Sequence, residues 1–152
     1  VALLLFVYGM AVVAVTIFPI HPHPSSYWAD SPWWTMIHYI PLVVDAPSFV
    51  LNIVMFVPFG LLTPILWPRL DSVRRLAAYA AAASSAIELT QLVLGLTVGS
   101  RRTVDINDLI ANTAGALAGL LVLRAAVPDR RHRALIATRN ADAALGITRA
   151  DT

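Results

Sequence analysis

Three sets of residues in this chain have types and spacings that could do chemistry. The first is Arg102, Asp105, Asp108, Asn112, Gly115 and Gly119. From Asp105 onward the steps are three, four, three and four, which keeps every member on one face of an α-helix. The second is Ser84, Glu88, Gln91 and Gly95, again at helical steps, and the third opens at Asn52 and runs through Phe56, Phe59 and Thr63. Arg102 could grip a phosphate or carboxylate through two parallel N–H bonds. Glu88, a carboxyl in apolar surroundings, could act as general acid or base. Asp105 and Asp108 could receive amines, hydroxyls or sugar groups, or hold a divalent cation through oxygen ligands. Asn52, Gln91 and Asn112 add amide groups for binding. We therefore take Glu88, Asp105 and Asp108 as catalytic candidates and Asn52, Gln91, Arg102 and Asn112 as binding candidates.

Several other chemistries are excluded or unsupported. The chain has no Cys, so it has no disulfide frame, thiol nucleophile or thiolate metal site. It has no Lys, and all 11 basic residues are Arg, which removes Schiff-base and lysine–phosphate chemistry. Neither a G-x-S-x-G elbow nor an H-E-x-x-H zinc motif occurs. The Gly95–Gly99 stretch lacks the preceding strand that a nucleotide loop needs. His21 and His23 bracket Pro22 in a loop, a weak metal signal, and we assign no metal site and no cofactor, with a divalent cation at Asp105 and Asp108 as the alternative.

The elements that must position these residues are membrane-length. Of 152 residues, 58% are hydrophobic and 13% charged, against about 25% charged in soluble domains. A span needs ~20 apolar residues. Four segments qualify: 1–20, 47–67, 76–96 and 105–127. The first lacks the basic n-region and small-residue cleavage site of a signal peptide, so an uncleaved helix is expected. The sequence thus predicts an all-α, polytopic membrane helix bundle over residues 1–127, followed by a polar, Arg-rich cytoplasmic tail over 128–152 that is mobile or lies on lipid.

Orientation follows from the arginines. Residues 20–45 contain none, whereas Arg69, Arg74 and Arg75 follow the second span and six Arg lie from Arg124 onward. The positive-inside rule places both clusters and both termini in the cytoplasm. This distribution also explains the basic pI without nucleic acid. Arg101 and Arg102 fall outside against this trend, tolerated there or held by nearby carboxylates. Trp28, Trp33, Trp34 and Tyr39 suit the outer interface, and residues 33–44 read as a short interfacial or re-entrant helix.

Structural readings compete with the chemical ones. Pro58 removes a helix bond and should kink the second span near Val54. Gly60 admits a neighbouring helix, and Gly115-x-x-x-Gly119 is a packing signature. Asp105 could be a simple N-cap, Asn52 an interhelical bond, and Glu88 a bundle clamp. Depth decides for a shared site. Asn52 opens the second span, Glu88 lies ~12 Å below the outer end of the third, and Asp105, Asp108 and Asn112 open the fourth. All fall at one outward level, so we expect one cavity there. A carboxylate inside a bilayer, costing about 2.5–3.5 kcal/mol, is by default a functional hypothesis.

These residues carry a resemblance. Asn52-Ile-Val-Met-Phe56-Val-Pro58-Phe59-Gly60, then Glu88-x-x-Gln91, then Arg102-x-x-Asp105-x-x-Asp108-x-x-x-Asn112-x-x-Gly115 resemble, in order, the VanZ-like family of bacterial integral membrane proteins. The chain departs from it at Asn107, a position often acidic in that family. The resemblance implies a multi-pass protein of the bacterial plasma membrane, and its founding member is associated with resistance to the glycopeptide teicoplanin. The expected function is binding of an outer-leaflet lipid, a cell-wall precursor or a lipoglycopeptide. The alternative is a membrane enzyme acting on a lipid-linked or phosphorylated substrate through Glu88 and the Asp105/Asp108 pair. A transporter built by homo-oligomerisation through the glycine face is a weaker third reading, since four helices are few and no inverted repeat shows.

Overall fold

The computed structural model describes residues 1–18, 20, 32–98 and 104–129, with 133, 135, 136, 138, 139 and 142 beyond them. Arg102, His21, His23 and Trp28 lie outside the described residues. Among the described residues, four helices have defined bounds: α1 (Ala2–Ile17), α2 (Ala46–Leu66), α3 (Val73–Val98) and α4 (Ile106–Ala126). The last three are long and apolar enough to cross a membrane. Helix α1 is equally apolar but has only 16 residues, because the chain turns extended at Phe18 before the full length of 1–20 is reached.

The tightest seam lies between α2 and α4, and glycines make it. A Cβ on Gly60 would sit 1.7 Å from the Ala116 carbonyl oxygen, one on Gly115 2.1 Å from that of Ile53, and one on Gly119 2.1 Å from that of Val57. The two backbones therefore touch at three levels, an approach open only to residues without a side chain. This face of α4 is filled by α2 of the same chain, so an oligomer of the kind expected from the glycine face would have to use another surface. Helix α2 continues through Pro58 and also through Pro64, whose missing N–H frees a second carbonyl one turn from the end.

A small core of Phe56, Leu70, Leu76, Ala80, Ala116 and Leu120 joins α2, α3 and α4. Small residues on α3 and α4 let the three helices close around Phe56. The outer faces stay greasy: Leu51, Val54, Leu89, Val93, Leu121 and Val122 are all exposed, the pattern of helices solvated by lipid. Helix α1 is held by single polar contacts, with the Tyr8 hydroxyl donating to the Met55 carbonyl at 2.9 Å.

The segment before α2 is not the helix expected over 33–44. It makes a 3-10 turn at Trp33–Met36 and then a two-residue strand, β1 (Ile37–His38). Strand β1 pairs in parallel with β2 (Val104–Asp105), Ile37 opposite Val104 and His38 opposite Asp105. Proline and β-branched residues near the turn favour extended backbone over helix.

At the opposite end, Asp71 ties the chain together. Arg124 Nε and Arg133 each approach its carboxylate at 3.0 Å. Arg133 also donates to the Val127 and Pro128 carbonyls and is only 6% exposed. Through Arg133 the chain just after α4 is tied to the α2–α3 link. A buried guanidinium needs its full set of acceptors, and Asp71 and the two carbonyls supply them.

Candidate functional site

The carboxyl cluster is built at the start of α4. Asp105 is the N-cap of α4, its Oδ1 accepting the Asn107 amide at 2.8 Å. The cap does not exhaust the residue. Its own amide donates to Glu88 Oε2 at 3.1 Å, and its Oδ2 lies 3.7 Å from His38 Nδ1, brought there by the strand pairing. One turn deeper, Asp108 accepts from Asn52 Nδ2 at 2.5 Å and lies close to Glu88. Helices α2, α3 and α4 therefore contribute Asn52, Glu88, Asp105 and Asp108 to one connected set, with Glu88 7% exposed.

The two polar stripes meet as rungs. Helices α3 and α4 run antiparallel, so one turn down from Glu88 is Ser84 and one turn down from Asp108 is Asn112. Asn112 Nδ2 donates to Ser84 Oγ at 2.9 Å. Both are buried, and the Asn112 Oδ1 is buried with no hydrogen-bond partner among the described residues. This rung is inside the α3–α4 seam. Its extra turn of depth carries Asn112 below the carboxyls and against Ser84.

Gln91 also bonds away from the carboxyls. Its Nε2 donates to the Thr16 carbonyl of α1 at 2.9 Å, which fastens α1 to α3. It still shares the wall of a cleft with Asn52 and Asp108.

Two polar residues that sequence reasoning missed complete the neighbourhood. Asn107 stands out in the sequence only as a missing carboxylate. In the structure it is 2% exposed and pins the loop before α2. Its Nδ2 donates to the Ile40 and Val43 carbonyls, both at 3.2 Å, and to Asp105 Oδ1 at 2.8 Å, while its Oδ1 accepts the Leu42 amide at 2.6 Å. Leu42 has φ 66°, a left-handed conformation rare for a side-chain-bearing residue. The Asn107 amide holds that turn in place. An aspartate at this position could not donate to the two carbonyls. His38 carried no spacing signal at all, since its link to Asp105 exists only through the strand pair.

Three open clefts meet at the carboxyls. One of about 370 Å3 runs beside Glu88 and Asp105 along Leu89, Leu92 and Leu109. One of about 680 Å3 lies under the 37–45 loop and reaches Asp105, Asp108 and Ser48. The third, about 550 Å3, lies between α1 and α2 and reaches Asn52, Gln91 and Asp108. Among the described residues no group of three His, Cys, Asp or Glu side chains is arranged to hold a metal ion. Such a site can accept hydrogen bonds and positive charge from a polar head while apolar walls take a greasy tail.

Fold and site together define a helical membrane protein with a carboxyl cluster at one end of the bundle, open sideways between its helices. The chain belongs to the VanZ/LLP1 family, whose model matches residues 5–127. The match begins within α1 and ends just after α4, so it takes in every carboxyl of the site. No curated protein and no solved structure matches the chain.

Proposed function

We propose that this VanZ/LLP1 protein binds an amphiphile whose head carries hydroxyl or amine groups, at the outer leaflet of the bacterial plasma membrane. Lipid-linked cell-wall precursors and lipoglycopeptides such as teicoplanin are the fitting class. The observation that carries the reading is the placement of Glu88, Asp105 and Asp108 where three apolar-walled clefts meet. Donor groups of a head would bond the carboxyls while its hydrocarbon lies along Leu89 and Leu92. The outward orientation is supported by Arg69, Arg75, Arg124 and Arg133 at the other end. Arg102, two residues ahead of β2, would add a grip on a phosphate in the same head.

Lipid mass spectrometry of the purified protein tests this. Wild type should retain a specific amphiphile, and Glu88→Gln and Arg102→Ala should each lower retention about tenfold, the worth of one charge-assisted hydrogen bond. Both variants should stay folded. Retention unchanged in both would show that the carboxyl cluster is only a bundle clamp.

One observation favours a second reading, an enzyme on a lipid-linked substrate. Glu88, Asp105 and Asp108 line adjoining clefts and His38 Nδ1 lies 3.7 Å from Asp105 Oδ2, so groups of the types that serve as general acid and base lie side by side. Under this reading Glu88→Gln abolishes turnover but leaves amphiphile retention intact, which separates the two.

A further inference from the structure

A second kind of cleft opens toward the other end of the bundle, and no carboxyl lines it. It has a volume of about 560 Å3 and lies between α1, the end of α2 and the start of α3. Leu5, Gly9 and Phe59 line it together with Trp67, Arg69 and Tyr79, whose exposed side chains mark the opening as its mouth. Trp67 is 53% and Tyr79 59% exposed, as suits aromatic side chains at a lipid–water boundary. Arg69 is exposed beside them. Arg75 Nη1 donates to the Arg69 carbonyl at 3.4 Å, so a second guanidinium lies against the same turn. From Trp67 to Phe59 the cleft follows eight residues of helix, ~12 Å, most of the ~15 Å hydrocarbon depth of one leaflet.

Gly9 lies on the α1 wall of this cleft. A Cβ there would meet nothing within 4 Å. Gly60, Gly115 and Gly119 are all pressed on backbone, whereas the space beside Gly9 is open. Its missing side chain keeps the wall of the cleft flat.

We propose that this cleft holds an acyl chain of an anionic phospholipid from the arginine-side leaflet, with the lipid phosphate on Arg69 and Arg75. The charge of the mouth selects the head, and the apolar interior takes the chain. The site uses none of the carboxyl cluster, so it stands whether or not the reading of that cluster holds.

Native mass spectrometry of the full chain in detergent tests it, with phosphatidylglycerol and phosphatidylcholine of identical acyl chains and with glycerol 3-phosphate as a head without a chain. Phosphatidylglycerol should bind at least about fivefold tighter than phosphatidylcholine, the worth of one guanidinium at a membrane surface. Arg69→Gln should weaken that preference, and Arg69→Lys should retain part of it. Gly9→Leu should cut retention of both lipids about tenfold with an unchanged melting temperature, since its side chain enters the cleft and not the protein. Leu5→Trp is a second cleft-filling variant should Gly9→Leu prove unstable. Equal binding of the two phospholipids overturns the proposal. So does full lipid retention in the cleft-filling variants, or glycerol 3-phosphate binding as tightly as the lipid.

Discussion

A single amide, that of Asn107, does most to shape the mouth of the carboxyl site. It gives three hydrogen bonds and accepts one, and all four hold the 40–43 turn or the Asp105 cap. Asn107→Ala leaves the Ile40 and Val43 carbonyls and the Leu42 amide without their partner. The expected cost is about 1–3 kcal/mol, concentrated in the loop. Hydrogen exchange should show the Leu42 amide exchanging tenfold faster or more, with α2 and α4 protected as before. Unchanged exchange at Leu42 would mean that the turn holds itself. The residue was legible in the sequence as a departure from a family pattern. Its loop partners were not, because they lie more than 60 positions away and their pairing depends on the loop conformation.

At the scale of elements, the α2–α4 seam explains why glycines recur. Helices pack at 8–10 Å when side chains interdigitate, and closer only when side chains are absent. Gly60→Ala puts a methyl 1.7 Å from the Ala116 carbonyl oxygen. Backbone cannot yield as a side-chain tip does, so the helices must part. A cost of roughly 2–3 kcal/mol is expected, read as a fall of about 5 °C or more in the melting temperature in detergent. An unaltered melting curve would show the seam to be loose. The Gly115–Gly119 spacing announces such a seam, but not its partner. A second chain satisfies the pattern as well as α2 does, and only the fold shows α2 in place.

For the whole molecule, charge and polarity segregate to opposite ends. The carboxyls gather where α4 begins, and the Asp71 clamp with Arg124 and Arg133 lies where α4 finishes. Both termini are expected on the arginine side. Cysteines introduced at Ser26 and Ala150 check this against a background without native Cys. An impermeant thiol reagent on intact cells should label position 26 and spare position 150. Labelling at 150 would reverse the topology. The clamp makes a separate prediction. Asp71→Ala leaves the buried Arg133 guanidinium without its counter-charge, a loss of about 3 kcal/mol. Limited trypsin digestion should then cut between residues 124 and 133 faster than in wild type. Digestion at the wild-type rate would mean that the backbone carbonyls of Val127 and Pro128 suffice.

The sequence alone determined the class of fold, because apolar run length, arginine placement and helical period are local properties that any bilayer-solvated chain must obey. It also marked Glu88, Asp105 and Asp108, since carboxyls are conspicuous in an apolar helix. The tertiary structure decided which stripe residues face which. The antiparallel crossing of α3 and α4 sets Glu88 against Asp108 and sinks Asn112 onto Ser84, while α1 takes Gln91 for itself. Parallel pairing of two short strands brings His38 to Asp105 across more than 60 residues. Such partners depend on helix rotation and crossing, and a period along one helix fixes neither. That is the physical reason a polar stripe can be read from sequence while the site it joins cannot.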